Sequence, residues 1–441
     1  MAESGDYAIG LDLGTSGCRA VAIDPAGATL AAARVPLPAP LSPRPGWSEQ
    51  DPALWWEAVL AVLREVAAAL PGRTAEAIGV DGTSATLLLA DCDGTPRGPA
   101  LLYNDCRAAA DAETIGRAAP PDSPARGPAS SLAKLRYLWR TGAGGTGLAL
   151  HQADWIGGRL CGDVGWSDWN NALKLGYDAE RQCWPDWVAG LVPSGVRLPR
   201  VLIPGATVGT LTADLAAALG LSRRTRIVAG TTDSTAAVIA AGAARPGDAV
   251  TSLGSTLVLK ILGTRPIASA AHGVYSQRLG DLWLAGGASN CGGSVLRQLF
   301  APHELIARSR EIDPERPTGL DYYPLPGIGE RFPRADPTLV PRLEPRPADR
   351  TRFLQGVLEG LAAIEAEGYR LLAGLGAPLP TRVVGIGGGA RNPAWSRLRE
   401  RALGIPVVPA VEQEAAYGAA RLAWSGLAAG AKAPRFGRPA C

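Results

Sequence analysis

The sequence predicts an α/β protein of two domains. Three observations carry that expectation. A chain of 441 residues exceeds what one hydrophobic core usually organises. Strand-like and helix-like apolar patterns alternate along it. One strand-turn-strand pattern occurs twice, as Leu13-Gly-Thr-Ser16 and as Leu253-Gly-Ser-Thr256, once in each half.

In order along the chain, Ala8–Leu11 and Arg19–Ile23 are apolar enough for buried strands. Asp12-Leu-Gly-Thr-Ser-Gly17 reverses the chain between them, with Gly14 and Gly17 available for positive φ. Pro25-Ala-Gly27 makes a turn, and Thr29–Val35 reads as a third antiparallel strand. A proline-rich loop then ends in Gly46-Trp-Ser-Glu-Gln-Asp51, where Asp51 caps a helix with Pro52 at its first position. Leu54, Trp55, Val59, Val62, Leu63 and Val66 recur on it at the helical period. A strand at Ala77–Val80 enters Asp81-Gly-Thr-Ser84, and Thr86–Ala90 with Asp91-Cys-Asp-Gly94 gives a further strand and turn. Residues 114–150 gather glycine, proline and alanine around one helix-like stretch, Leu132–Trp139, and read as a mobile or peripheral insertion. Trp155–Trp187 is rich in Trp, Asn and Asp, and reads either as an aromatic side core or as a polar pocket walled by indoles.

The second half opens with a strand ending at Gly230, after which Thr-Thr-Asp233-Ser234 leads a small-residue helix that stops at Gly242–Pro246. The second hairpin, 249–262, follows at once. The domain break is therefore expected at 240–250, giving 1–243 and 244–441, with an ancient duplication supplying one turn from each domain to a shared cleft. Near the C-terminus comes a strand, a glycine loop, a helix and another strand. There Gly385-x-Gly387-x-x-Ala390 matches a dinucleotide fingerprint. It fits NAD poorly: the next strand, Pro406–Val408, runs into Pro409, and the first acid after it is Glu412.

Composition excludes several classes. Net charge is +3 and the arginines form no basic stripe, so nucleic acid is not expected. Seven cysteines without a C-x-x-C fit reduced thiols, not a disulfide framework or zinc site. His151, His272 and His303 lie far apart and suggest neither zinc nor a Ser-His-Asp triad; they read as ordinary core or surface residues. No apolar run could cross a bilayer, and the acidic N-terminus lacks a secretory leader's basic region, so a cytoplasmic protein is expected.

The chemistry lies in the turns. Backbone N–H groups and hydroxyls of Gly14, Thr15 and Ser16, with those of Gly254, Ser255 and Thr256, could clamp a polyphosphate. Asp12 beside phosphates requires a divalent cation between them, and Mg²⁺ with ATP is the natural pair. No Gly-Lys dipeptide occurs, which excludes a Walker A loop. Asp233 at a helix start is either a cap or a base facing a reacting hydroxyl, and the helix dipole favours its charge.

Together, Asp12-Leu-Gly-Thr15, Gly46-Trp-Ser-Glu-Gln-Asp-Pro52, Tyr103-Asn-Asp-x-Arg107, Ala229-Gly-Thr-Thr-Asp233, Ser252-Leu-Gly-Ser-Thr256 and Gly387-Gly-Gly-Ala-Arg-Asn392 resemble the FGGY carbohydrate kinases over nearly the whole chain. The resemblance implies two ribonuclease H-like domains of the actin, hexokinase and sugar-kinase group around a central cleft. It implies Asp233 as catalytic base and, with Asp12, a metal-side carboxylate. It implies Thr15 on the γ-phosphate, Gly388, Gly389, Ala390 and Asn392 at adenosine, and Ser84, Asp233 and Ser234 at the sugar. ATP and Mg²⁺ are the implied co-substrate and cofactor, in a monomer or homodimer without membrane partners. Asp81-Gly-Thr-Ser84 resembles the shorter D-ribulose kinases, whereas xylulokinases typically carry Gln-Met-His there; D-ribulose is the expected sugar and D-xylulose the alternative. An actin- or chaperone-like ATPase would use the same turns.

Overall fold

The computed structural model describes residues 6–142 and 144–429. Residues 1–5, on which the reading of the N-terminus rests, and Cys441 lie outside them. The chain forms two compact units, one running to Ala240 and taking up the segment from Glu414, the other Ala241–Gln413.

The first unit is built on a mixed seven-stranded sheet. Tyr7–Gly14, Gly17–Ile23 and Thr29–Pro36 form an antiparallel meander, and Ala75–Gly82 joins Tyr7–Gly14 in parallel. Arg226–Val228 and Thr231–Thr232 both pair in parallel with Ala75–Gly82. Asp51 accepts the Ala53 N–H and starts the Pro52–Ala69 helix, whose Trp55, Val59, Val62, Leu63 and Val66 are buried at the period read from the sequence. The second unit repeats the plan: Asp248–Leu253 lies antiparallel to Leu257–Gly263 and parallel to Arg382–Ile386, and Leu282–Ser289 continues the antiparallel side. This shared pattern of two antiparallel and then parallel neighbours gives the sequence echo a structural counterpart.

Two regions differ from expectation. Residues 114–150 are not peripheral: the Ser131–Thr141 helix buries Leu132, Ala133, Lys134 and Leu135, and packs on a second sheet that contains Leu87–Ala90 and Gly147–His151. Nor does the second unit run to the C-terminus, because the helix Ala415–Ala429 returns to the first. Backbone proximity holds it there. A Cβ on Gly10 would meet the Ala416 carbonyl oxygen at 1.8 Å, and one on Gly79 the Ala419 carbonyl oxygen at 2.6 Å, so strands and helix touch only because both positions lack side chains. Of the tryptophan-rich segment, Trp155 packs edge-on against Trp55 at 6.3 Å within the main core of the first unit, and Trp166 is buried in a smaller cluster with Leu202 and Ala229.

Candidate active site

Three parallel strands of the first unit end side by side, and loops at the carboxyl ends of such strands are where α/β sheets bind ligands. Register sets the residues abreast: Asp12 opposite Asp81, and Thr231 and Thr232 opposite Asp81 and Gly82. One residue later Asp233 begins the helix Asp233–Ala240. Asp12 is almost wholly buried, with Oδ2 2.8 Å from the Arg19 guanidinium. Asp233 and Ser234 are half-buried, and Asp233 Oδ1 accepts the Ser234 N–H at 2.6 Å.

Asp81 entered the sequence reading only as the first residue of the Asp81-Gly-Thr-Ser84 segment, with no role of its own. It is fully buried, and neither carboxylate oxygen meets a donor. Burial first, and then the charges of Asp12 and Asp233, hold its carboxyl well above the usual aspartate range. It can hydrogen bond with Asp12 only when one of the two keeps a proton. The signal was in the sequence: Gly10-Leu-Asp12 and Gly79-Val-Asp81 repeat the same spacing on adjacent strands, each glycine touching the same C-terminal helix.

Gly14 and Gly17 face one another in the ladder, leaving Thr15 and Ser16 as a two-residue loop, the hydroxyl of Ser16 exposed and Thr15 half-buried. Neither glycine takes the positive φ expected of it. Gly17 is needed for closeness instead, since a Cβ there would lie 2.8 Å from the Val35 carbonyl oxygen. Beyond Gly82, a reverse turn closes from Thr86 N–H to the Thr83 carbonyl, and presents half-buried Ser84. Gln152 Oε1 accepts both the N–H and the hydroxyl of Thr83, which fixes the turn's first residue.

Among the described residues no cluster of three or more His, Cys, Asp or Glu is arranged to hold a metal ion. That suits Mg²⁺, which is commonly bound through one or two carboxylates, water and substrate phosphates, not an all-protein cage. Asp12, at the strand end, is the carboxylate that the sequence reading set beside such an ion, while Asp81 behind it resists ionisation.

In the second unit the hairpin turn Gly254–Thr256 rests on the Gly293–Leu299 helix, whose Gly293 and Ser294 N–H groups take up the Gly254 and Ser255 carbonyls. Beside it opens a cavity of about 900 Å³ lined by Gly254, Ser255, Gly388, Gly389, Asn392 and Trp395 among others. The sequence-predicted nucleotide residues thus converge from both ends of the unit, although Thr256 and Ala390 do not line the cavity. A Cβ on Gly389 would sit 2.4 Å from the Trp395 ring, so the indole requires that glycine. Asn392 caps the Pro393–Leu403 helix with its carbonyl oxygen and gives its amide N–H to Ser309.

Of the histidines, His151 forms an arrangement the sequence reading did not anticipate. Nε2 lies 3.0 Å from Ser131 Oγ and Nδ1 2.9 Å from Asp154, the order of a Ser-His-Asp triad. All three side chains are buried, so no substrate reaches Ser131 and the chain is structural. The six described cysteines are free thiols. No described helix is long and apolar enough to cross a membrane.

Comparison with known proteins also divides the chain in two, but counts most of the Ala415–Ala429 helix with the second part. Residues 7–123 match the model of the FGGY family of carbohydrate kinases, N-terminal domain, and residues 249–427 that of its C-terminal domain. A xylulose kinase of Streptomyces coelicolor is 30% identical over 463 aligned residues, covering 99% of this chain and 91% of that protein. A glycerol kinase of Gloeobacter violaceus is 30% identical, covering 93% and 86%. The crystal structure of a "xyloylose kinase" from Brucella ovis superposes with a TM-score of 0.84 at 27% identity, over 98% of this chain and 94% of that one.

Proposed function

Given that the chain belongs to the FGGY family of carbohydrate kinases, and is an ATP-dependent carbohydrate kinase with that family's two-domain α/β fold, we propose that it phosphorylates a ketopentose, D-xylulose first. One observation carries the acceptor assignment: Ser84, Asp233 and Ser234 stand at the ends of adjacent parallel strands in the first unit, next to Asp12. Several xylulose kinases among the relatives favour D-xylulose over the D-ribulose expected from the sequence. D-ribulose stands as the second reading on the segment Asp81-Gly-Thr-Ser84, where xylulokinases typically have Gln-Met-His.

In this reading Asp233 accepts the proton of the terminal sugar hydroxyl as that oxygen attacks the γ-phosphorus. A weak base suffices, because phosphoryl transfer depends mainly on alignment and charge neutralisation. Ser84 and Ser234 orient the sugar through their hydroxyls. Thr15 and Ser16 offer backbone N–H groups and hydroxyls to the phosphates. The residues around the cavity of the second unit hold the nucleoside. Kinases of this family use Mg·ATP, and Mg²⁺ carried with the nucleotide would neutralise phosphate charge facing Asp12. Free thiols and the need for ATP suit a cytoplasmic enzyme.

The test is ADP release with D-xylulose, D-ribulose and glycerol, the product assigned by phosphorus NMR. D-Xylulose giving the 5-phosphate at the highest kcat/KM is the expected result, and preference for D-ribulose would establish the second reading. Turnover of glycerol alone would overturn both. Asp233→Asn keeps the size of the side chain and should lose on the order of 10²-fold in kcat while the fold persists.

A further inference from the structure

We propose that Lys134 is a positioning residue for the sugar: it holds the Ser84–Ala85 turn in the conformation that presents Ser84. The inference rests on the acceptor site proposed above. Ala85 has φ +69°, and Gln182 is the other non-glycine residue with positive φ among those described. A side chain at the third position of such a turn is disfavoured, and glycine is the ordinary occupant. Something outside the turn must hold Ala85 there. The Lys134 ammonium, on the Ser131–Thr141 helix, donates to the Ala85 carbonyl at 2.9 Å and to the Leu102 carbonyl at 2.6 Å. It thereby ties the turn to the strand end that leads into Tyr103-Asn-Asp-x-Arg107.

Lys134 is fully buried and bonded to carbonyls, not to a carboxylate. Asp105, the acid that acts on it most strongly, is already engaged by the Ser48 N–H and by Arg107, while Arg107 and Lys174 repel it. Burial depresses its pKa to about 7. An ammonium so placed is a poor way to stabilise a fold. Its geometry does fit the task of locking two loop carbonyls, one of them adjacent to a residue at the sugar site. Gln152 fixes the turn from its other end through Thr83, so the turn is held on both sides of Ser84.

The experiment is a double-mutant cycle on the full-length enzyme, measuring KM for sugar, KM for ATP and kcat. Lys134→Met should raise the sugar KM about tenfold, the loss of hydrogen bonds from a charged donor, with KM for ATP unchanged. Ala85→Gly alone should be near neutral. Because glycine adopts positive φ without help, Lys134→Met with Ala85→Gly should recover part of the lost sugar affinity. A purely structural lysine would show no such rescue. Should Lys134→Met fail to fold, Lys134→Gln, neutral and one bond too short to span both carbonyls, takes its place in the cycle. A folded Lys134 variant with wild-type sugar KM, or a double variant with the full defect, overturns the proposal. Failure of the ketopentose reading shows separately, in the wild type, and the cycle is then run with the sugar or polyol that the wild type phosphorylates.

Discussion

Asp81→Asn should make the protein more stable, and increasingly so as pH rises. Asp81 is buried with Asp12 abreast of it and Asp233 nearby, and neither of its oxygens meets a donor. Folding therefore favours its protonated form. Well below the ordinary aspartate value of 3.8, folded and unfolded chains both hold the proton and the site costs nothing. As pH climbs past that value the unfolded chain ionises freely while folded Asp81 resists, so the native state loses stability until pH passes the raised folded value. Asparagine removes the titration and offers its amide N–H to Asp12. An unsatisfied buried polar group costs about 1–3 kcal/mol, which sets the expected gain at pH 8. In a unit of this size that corresponds to roughly 2–4 °C in melting temperature per kcal/mol. The assay is thermal and urea unfolding in EDTA, followed by tryptophan fluorescence from pH 5 to 8.5. A variant no more stable than wild type at pH 8, or a difference that stays constant across the range, would refute the reasoning.

Asp12→Ala should abolish Mg²⁺-dependent turnover without destabilising the fold, because Arg19, its partner, is one-third exposed and keeps Glu414 at 3.7 Å; a magnesium titration of activity beside a melting curve checks both halves. Thr15→Ala, losing one hydroxyl at the same loop, should be milder in the same titration. Glu365→Gln should cost about 3–5 kcal/mol, since both oxygens of Glu365 serve the wholly buried Arg399, at 2.6 and 2.7 Å, and one also accepts from Thr251; urea unfolding of the purified protein measures it. Gly10→Ala places a methyl 1.8 Å from the Ala416 carbonyl oxygen, and should cost at least about 1–3 kcal/mol as the Ala415–Ala429 helix is pushed from the sheet, seen as faster proteolysis near the C-terminus and a lower melting temperature.

What the sequence determined is what neighbouring residues decide. The opening hairpin, the Asp51-capped helix, the strand before Asp233 with the helix after it, and the second hairpin follow from short-range alternation, capping and turn chemistry, and they lie where those signals put them. The candidate nucleotide residues Gly254, Ser255, Gly388, Gly389 and Asn392 were legible because they sit in recognisable turns, although only the fold brings them into one cavity. Tertiary structure alone decided the rest. Asp81 acquires its character from the register of Ala75–Gly82 against Tyr7–Gly14, a pairing across more than sixty residues that no local pattern encodes. The Ala415–Ala429 helix joins the first unit because glycines at 10 and 79 let backbone meet backbone, a fit visible only when both partners are in place. Lys134 reads in sequence as one cation on an insertion; buried in the fold, its ammonium spans carbonyls 32 and 49 residues away, and long-range packing set that reach.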